Sequence, residues 1–401
     1  MSAPVAKPAR PISAYVAVGA TITNYVIDPA TGTLTQRGSI VLPARLQYAW
    51  PHPSLPILYA ACADRAPAEG THPFQLCALW RDEEGNLAQL GESAPLAARP
   101  IHNCTDVDGG YALTAYGDAP GLTVHKLNAD GTIGAEVPRD EGFEFGNKPH
   151  QIRVTPHNQR AILVSRGNKG FGGPKYIEGG FRMVAFRDGA VRNEETVIPP
   201  VDKAPRGFNP RNVDFHPTEP IVYAVMEPQN ELWSFRMDGS VIAPDPLSAD
   251  NILALPEMVH KRQDGGAVEV HPSGRYVYVA NRNDGYVDGH AGPSWLNPDP
   301  LPVFPGGENN IAVFDLAGPG GRPVLVQHVD TRGLHPRTFA VDPTGRYLVA
   351  GNNAPTVMPG GEQVPASLAV FGIGDDGRLT FLYKHDLDVG AEKVWWMGIA
   401  G

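Results

Sequence analysis

Three features of this 401-residue sequence predict an all-β fold, a seven-bladed β-propeller of four-stranded antiparallel blades. A strand–turn–strand pattern returns along almost the whole chain, turn-forming residues are abundant, and the two ends carry partial units that complete each other. Gly 45 and Pro 40 together exceed a fifth of the chain, well above the average usage of roughly 12%. That excess fits many short strands joined by tight turns.

The clearest copies of the repeat are residues 267–282 (AVEVHPSGRYVYVANR) and 337–353 (RTFAVDPTGRYLVAGNN), with 211–227 and 150–166 on the same template. Weaker copies begin near Gln47 and His102. Aligned on Pro53, Asp108, Pro156, Pro217, Pro272 and Pro343, successive units lie 55, 48, 61, 55 and 71 residues apart. Each unit alternates with period two, is rich in β-branched and aromatic residues, and so reads as a hairpin. Third strands follow near Leu122, Leu232, Ile311 and Leu368, and Asp-Gly turns lead to a fourth, which completes a propeller blade. The N-terminal unit, Ala14 to about Ser39, starts at its second strand, whereas Val394–Ile399 is a strand left over. Joining the two in one blade closes the ring and removes both open edges. The expected organisation is a leader over residues 1–11 and a single propeller domain over 12–401.

A hydrophobic content of 42% excludes a disordered chain. A net charge of −10 argues against nucleic-acid or anionic-membrane partners, and no apolar run approaches the roughly 18 residues of a membrane span. Cys62, Cys77 and Cys104 cannot all pair and form no CxxC motif, so reduced thiols in a cytoplasmic protein are expected. The sequence has no GxxxxGK[ST], helix-opening GxGxxG or GxSxG motif.

The repeat places the chemistry. The first strand of each blade lines the central channel and the second runs back beside it, so the start of one and the end of the other share a rim. Six residues before the turn stand Gln47, His102, His150, Arg211, Gly266 and Arg337; ten after it stand Ala63, Asp118, Arg166, Glu227, Arg282 and Asn353. Four arginines and two histidines among these positions make a basic funnel on an acidic body. Guanidinium groups bind carboxylate or phosphate bidentately, so a small anionic ligand is expected, with Glu227 and Asp118 as acid, base or counter-ions.

These repeats, with Pro149-His150-Gln151, Pro210-Arg211-Asn212, Glu227, Ala280-Asn281-Arg282 and Pro336-Arg337, resemble the seven-bladed propeller lactonase family over roughly residues 12–399. That family includes propeller-type 6-phosphogluconolactonases and fungal 3-carboxymuconate lactonizing enzymes. The resemblance implies a catalytic set of His150, Arg211, Glu227 and Arg282, the four positions that the ring argument also selects. His102, Arg166, Arg337, Asn353 and Asp118 are expected to bind substrate. The chain departs from the family pattern at Asn212, where Arg-His is common, and at Ser165–Gly170.

The expected reaction is hydrolysis of an anionic sugar-acid lactone, with no cofactor and no metal. His150 is the expected base by its intrinsic pKa, and Glu227 takes that part if partly buried or else orients the water. Arg211 and Arg282 stabilise the oxyanion, and Arg337 extends the clamp. Ring closure of a polycarboxylate by the same charges is the alternative enzyme reading, and a non-catalytic binding propeller is the alternative from another class. A divalent cation held by Glu227, Asn353 and Asp118 would be repelled by the arginines. Residues 167–180 and 283–308, the latter with His290 and Trp295, are long enough to act as lids. Trp395 and Trp396 are expected to pack on opposite faces of their strand.

Overall fold

The computed structural model describes residues 10–64, 72–285, 296–318 and 322–401. It contains strands and no helix among those residues, arranged as seven antiparallel sheets in a ring, with a two-stranded ribbon of Thr356–Val357 and Gln363–Val364 besides. In chain order the first strands of blades 1 to 6 are Arg45–Pro51, Pro100–Thr105, Pro149–Val154, Pro210–Phe215, Gln263–Val270 and Leu334–Val341. Blade 7 is built from both ends. Val394–Ala400 is its first strand and pairs with Ser13–Val18, which is followed outward by Thr21–Ile27 and Leu34–Val41. The first strands touch in sequence around the channel, and Val394–Ala400 closes the circle by lying against Leu334–Val341 and Arg45–Pro51.

Burial explains the strand compositions. Each blade is covered on both faces by its neighbours, so a second strand such as Ile57–Ala63 (ILYAACA) is buried at every position and reads as a continuous apolar run. The buried apolar residues divide into seven clusters, one in each gap between adjacent blades. Cys62, Cys77 and Cys104 are buried free thiols within these gaps.

Polar ties repeat from gap to gap. Nε2 of His52, His216 and His271, each opening the first turn of its blade, lies 3.1, 2.8 and 2.9 Å from the carbonyl oxygens of Gly109, Gly274 and Gly345 in the next blade. These glycines have positive φ, and a Cβ on Gly274 would come within 2.7 Å of the His216 ring. Tyr15, Tyr59 and Tyr278 donate in the same manner to the carbonyls of Gly85, Gly131 and Gly377.

Of the expected leader, residues 1–9 lie outside the described residues. Arg10 donates to the Arg81 carbonyl, and Arg81 reaches back to the Pro11 carbonyl. Of the longer expected lid, residues 286–295, with His290 and Trp295, lie outside as well; beyond them Asn297 bonds the Gly390 and Glu392 carbonyls before the last strand.

Candidate active site

A β-bulge near the start of each first strand builds the channel mouth. The ladders skip Gln47, Ile101, His150, Arg211, Arg337 and Trp395, and in blade 5 the register shifts across Gly266 and Ala267. A bulged residue has no partner opposite and is re-aimed. Ile101, His150, Arg211, Arg337 and Trp395 from this set line the mouth, a cavity of about 430 Å³. Gly266 serves by having no side chain: a Cβ there would stand 2.9 Å from the Ala280 Cβ and 3.4 Å from Arg282 Cδ, where the arginine crosses.

Eight of the nine candidate residues line this cavity: His150, Arg211, Glu227, Arg282, Arg166, Arg337, Asn353 and Asp118. The ninth, His102, does not. Asp106 N, not Val107 N, donates the hairpin bond to the Tyr111 carbonyl, as His52 N does to the Ile57 carbonyl in blade 1, so the equivalent of Pro53 is Val107 and the blade 2 alignment on Asp108 is one residue late. The bulge residue is therefore Ile101, and His102 lies one step deeper, its ring centroid 4.0 Å from that of Tyr48 with the planes tilted by 34°. Asp118 is likewise displaced outward; it is 68% exposed and pairs with Arg99 at 3.2 Å. Asn353 faces the mouth, yet its amide donates to the Val394 carbonyl at 2.7 Å and so ties blade 6 to the closing strand.

Glu227 is the centre of the cluster. Its side chain is 2% exposed, and it accepts from Arg166 at 2.7 Å and from Arg282. Arg211 Nε lies 3.2 Å from it without the alignment of a hydrogen bond, and Lys169 stands at 3.8 Å. Burial opposes the negative charge, but Arg166, Arg282, Lys169 and Arg211 outweigh it and hold the carboxyl well below its usual range. Both carboxylate oxygens are engaged by these cations, which favours the orienting role over the proton-accepting one. Arg211 is pushed down to about 9 by burial and by Arg282, and it is fixed by bonds to the Gly266 carbonyl and Asn212.

His150 stands beside these charges as a neutral imidazole. Burial, then Arg211 and Arg166, push it well below its usual pKa, and its buried Nδ1 has no partner among the described residues. Arg337 lies over the Trp395 ring at 4.1 Å and donates its Nε to the Trp395 carbonyl at 3.2 Å. Its acidity is raised by burial and by Arg211, Arg282 and Arg99, so an anion placed against it is strongly favoured. Trp395 is thus a wall of the mouth, contrary to the packing role expected for it, because the bulge turns it inward; Trp396 packs in the core as expected, 4% exposed.

Several mouth residues escape the repeat argument. His335 accepts from Arg282 Nη1 at 2.7 Å, and burial with Arg282 depresses its pKa, which fixes the proton on its other nitrogen. Lys169 enters from the 167–180 loop and reaches Asp264 at 2.5 Å. That loop is pinned by the Asn168–Ile177 bridge and by Tyr176, whose hydroxyl accepts from Phe208 N at 2.9 Å. Nine lining side chains are Arg or Lys and four are Asp or Glu, a net of five positive charges on an acidic protein. Among the described residues no cluster of three or more His, Cys, Asp or Glu is placed to hold a metal ion.

The family model for the seven-bladed β-propeller lactonases matches residues 11–357. The chain belongs to this family. A lactonase relative, the 6-phosphogluconolactonase of Bacillus subtilis, is 26% identical over 268 residues, 67% of either chain. The 6-phosphogluconolactonase of Yersinia pestis is 21% identical over 375 residues, covering 93% of this chain and 92% of that one. Among solved structures, a periplasmic gluconolactonase of Pseudomonas aeruginosa aligns with a TM-score of 0.67 at 16% identity, over 95% of this chain and 98% of that one. A protein from Lactobacillus plantarum aligns with a TM-score of 0.68 at 18% identity, over 98% and 99%. These structures share the lactonase family's propeller fold with this chain.

Proposed function

We propose that this propeller hydrolyses a small anionic sugar-acid lactone at the channel mouth. The observation that carries the reading is the juxtaposition of a neutral, buried-edge imidazole with a guanidinium cluster locked around Glu227. His150 removes a proton as water attacks the lactone carbonyl. Arg211, held rigidly by Gly266 and Asn212, faces the oxyanion that forms. Groups fixed before reaction stabilise developing charge without reorganising. When the ring C–O bond breaks, the proton on His150 passes to the ring oxygen, giving the hydroxy acid. Arg337, over the Trp395 ring, holds the carboxylate or phosphate of the substrate, and Glu227 keeps Arg166, Arg211 and Arg282 from splaying apart.

The lactonase family and the names of both relatives favour hydrolysis, and they give the ring-closing alternative no support. The cationic mouth favours an acidic substrate, a phosphorylated sugar lactone being the leading example. The test is turnover by the purified protein of 6-phosphogluconolactone, gluconolactone and a muconolactone, followed by acid release. Phosphorylated lactone should be preferred, and Arg337→Ala should raise its KM by about 10–100-fold, as for a lost charged hydrogen bond, with kcat little changed. Equal rates on charged and uncharged lactones would remove the anion clamp from the proposal.

A further inference from the structure

Below the mouth lies a chamber of about 270 Å³, and the two spaces share the collar of Ile101, His150, Arg211, Arg337 and Trp395. The residue after each bulge lines this chamber. The tier comprises Tyr48, His102, Gln151, Asn212, Val268, Thr338 and Trp396, and none of them carries a formal charge: His102 is kept neutral by burial, with Arg153 and Arg211 adding to the effect. A cationic collar therefore stands above a ring of uncharged groups, most of them aromatic or hydrogen-bonding.

The floor is neutralised as well. Arg153 pairs with Asp214 at 3.0 Å and lies over Trp50 at 4.8 Å. Glu269 is pushed up to about 8 by burial and by Asp214, which favours its uncharged form, and it accepts from Val341 N at 3.2 Å. Within this space His102 is 1% exposed, and neither of its ring nitrogens has a partner among the described residues. Leaving such buried polar atoms unmatched is costly. A neutral imidazole offers one donor and one acceptor, the complement of a hydroxyl group, while Tyr48 and Trp50 supply flat apolar faces.

We propose that this chamber binds an uncharged hydroxylated ring, the glycosyl part of a two-ring sugar-acid lactone whose reacting end lies at the collar. The position of the reacting end rests on the hydrolytic reading above; the affinity of the chamber for the ring does not. Its volume lies near the lower end of small-molecule sites, roughly 300 Å³, and suits one sugar ring. A charged group there would lose hydration and find the local ion pair already satisfied.

Calorimetric titration of the full chain with lactobionate and with gluconate tests the idea without turnover. Lactobionate, which carries the extra galactosyl ring, should bind at least tenfold tighter. His102→Phe keeps an aromatic ring against Tyr48 but removes both nitrogens, and should erase most of that tenfold in a variant that melts like the wild type, whereas His102→Gln should restore part of it. A crystal structure of the unaltered protein with lactobionate supplies a second reading, with the galactosyl ring expected against Tyr48 and His102. Equal affinities, or a ring lying outside the channel, would overturn the proposal. Tight lactobionate binding with no hydrolysis of lactobionolactone, gluconolactone or 6-phosphogluconolactone would sink the hydrolytic reading and leave the chamber standing.

Discussion

Glu227 shows why a buried charge in this protein is a matter of arrangement and not of strength. One carboxylate serves Arg166, Arg211 and Arg282, so its removal leaves like charges facing one another away from water. Glu227→Gln should lower the melting temperature and abolish most activity, because breaking a buried pair costs about 3–5 kcal/mol. His150 gives a prediction with a definite sign. Its pKa in the fold lies well below the usual 6.5, so the basic form persists as pH falls. The kcat/KM of folded enzyme should stay flat from pH 8 through 6.5 and decline only well below that. Stability behaves differently: His102, His150 and His335 are all neutral in the fold with depressed values, so their contribution is complete above 6.5 and is lost as pH falls toward their folded values. A pH series of thermal melts beside the rate profile separates the two. A rate that halves near pH 6.5 in fully folded protein would contradict the assignment of His150.

At the scale of the strand, register decides which side chains meet. The tandem copies were legible because hairpins with the same turn chemistry recur, and they placed His150, Arg211, Glu227 and Arg282 on one rim as the structure has them. Blade 2 was misphased because its turn, Asp106-Val107-Asp108-Gly109, lacks the proline that marks the others, and a one-residue slip moved His102 from the chamber to the mouth. Bulges leave no comparable mark in composition, which hid the inward turn of Trp395. His335 escaped for a related reason: it sits at a positive φ of 55° just before the bulge at Arg337, outside the alternation that the ring argument used. The repeated histidine ties are also elements of this scale. His216 accepts from Thr218 N and Glu219 N at Nδ1 while Nε2 meets the Gly274 carbonyl, so it both shapes its turn and fastens blade 4 to blade 5. His216→Ala should cost about 1–3 kcal/mol and lower the melting temperature by a few degrees, with KM and kcat unmoved, since the tie lies on the turns and not at the mouth. Thermal denaturation with steady-state kinetics on the same sample checks both halves.

For the whole molecule the decisive contact is the one between the ends. Every gap between blades holds its own apolar cluster, so a propeller opened at one gap exposes two blade faces and loosens the mouth, to which collar residues come from blades all around the ring. Val394–Ala400 supplies Trp395 to that collar and buries Val394, Trp396 and Met397 in the gaps on either side of blade 7. Full burial of such side chains is worth about 1.5–3 kcal/mol each, so deleting residues 394–401 should lower the melting temperature by at least about 10 °C, or leave the protein unable to fold, and should eliminate activity. What matters is that the ring is closed, not where the chain happens to begin. Ser13 pairs with Ala400 across blade 7, so a short linker can join these two strand ends directly, and a permutant opened instead in the loop between Asn251 and Gln263 keeps every strand of blade 7 continuous. That permutant should melt close to the parent and retain its kcat/KM, whereas the same opening combined with loss of residues 394–401 should not. A permutant as unstable as the deletion would mean that the order of strand addition, and not closure of the ring, sets the stability of this fold.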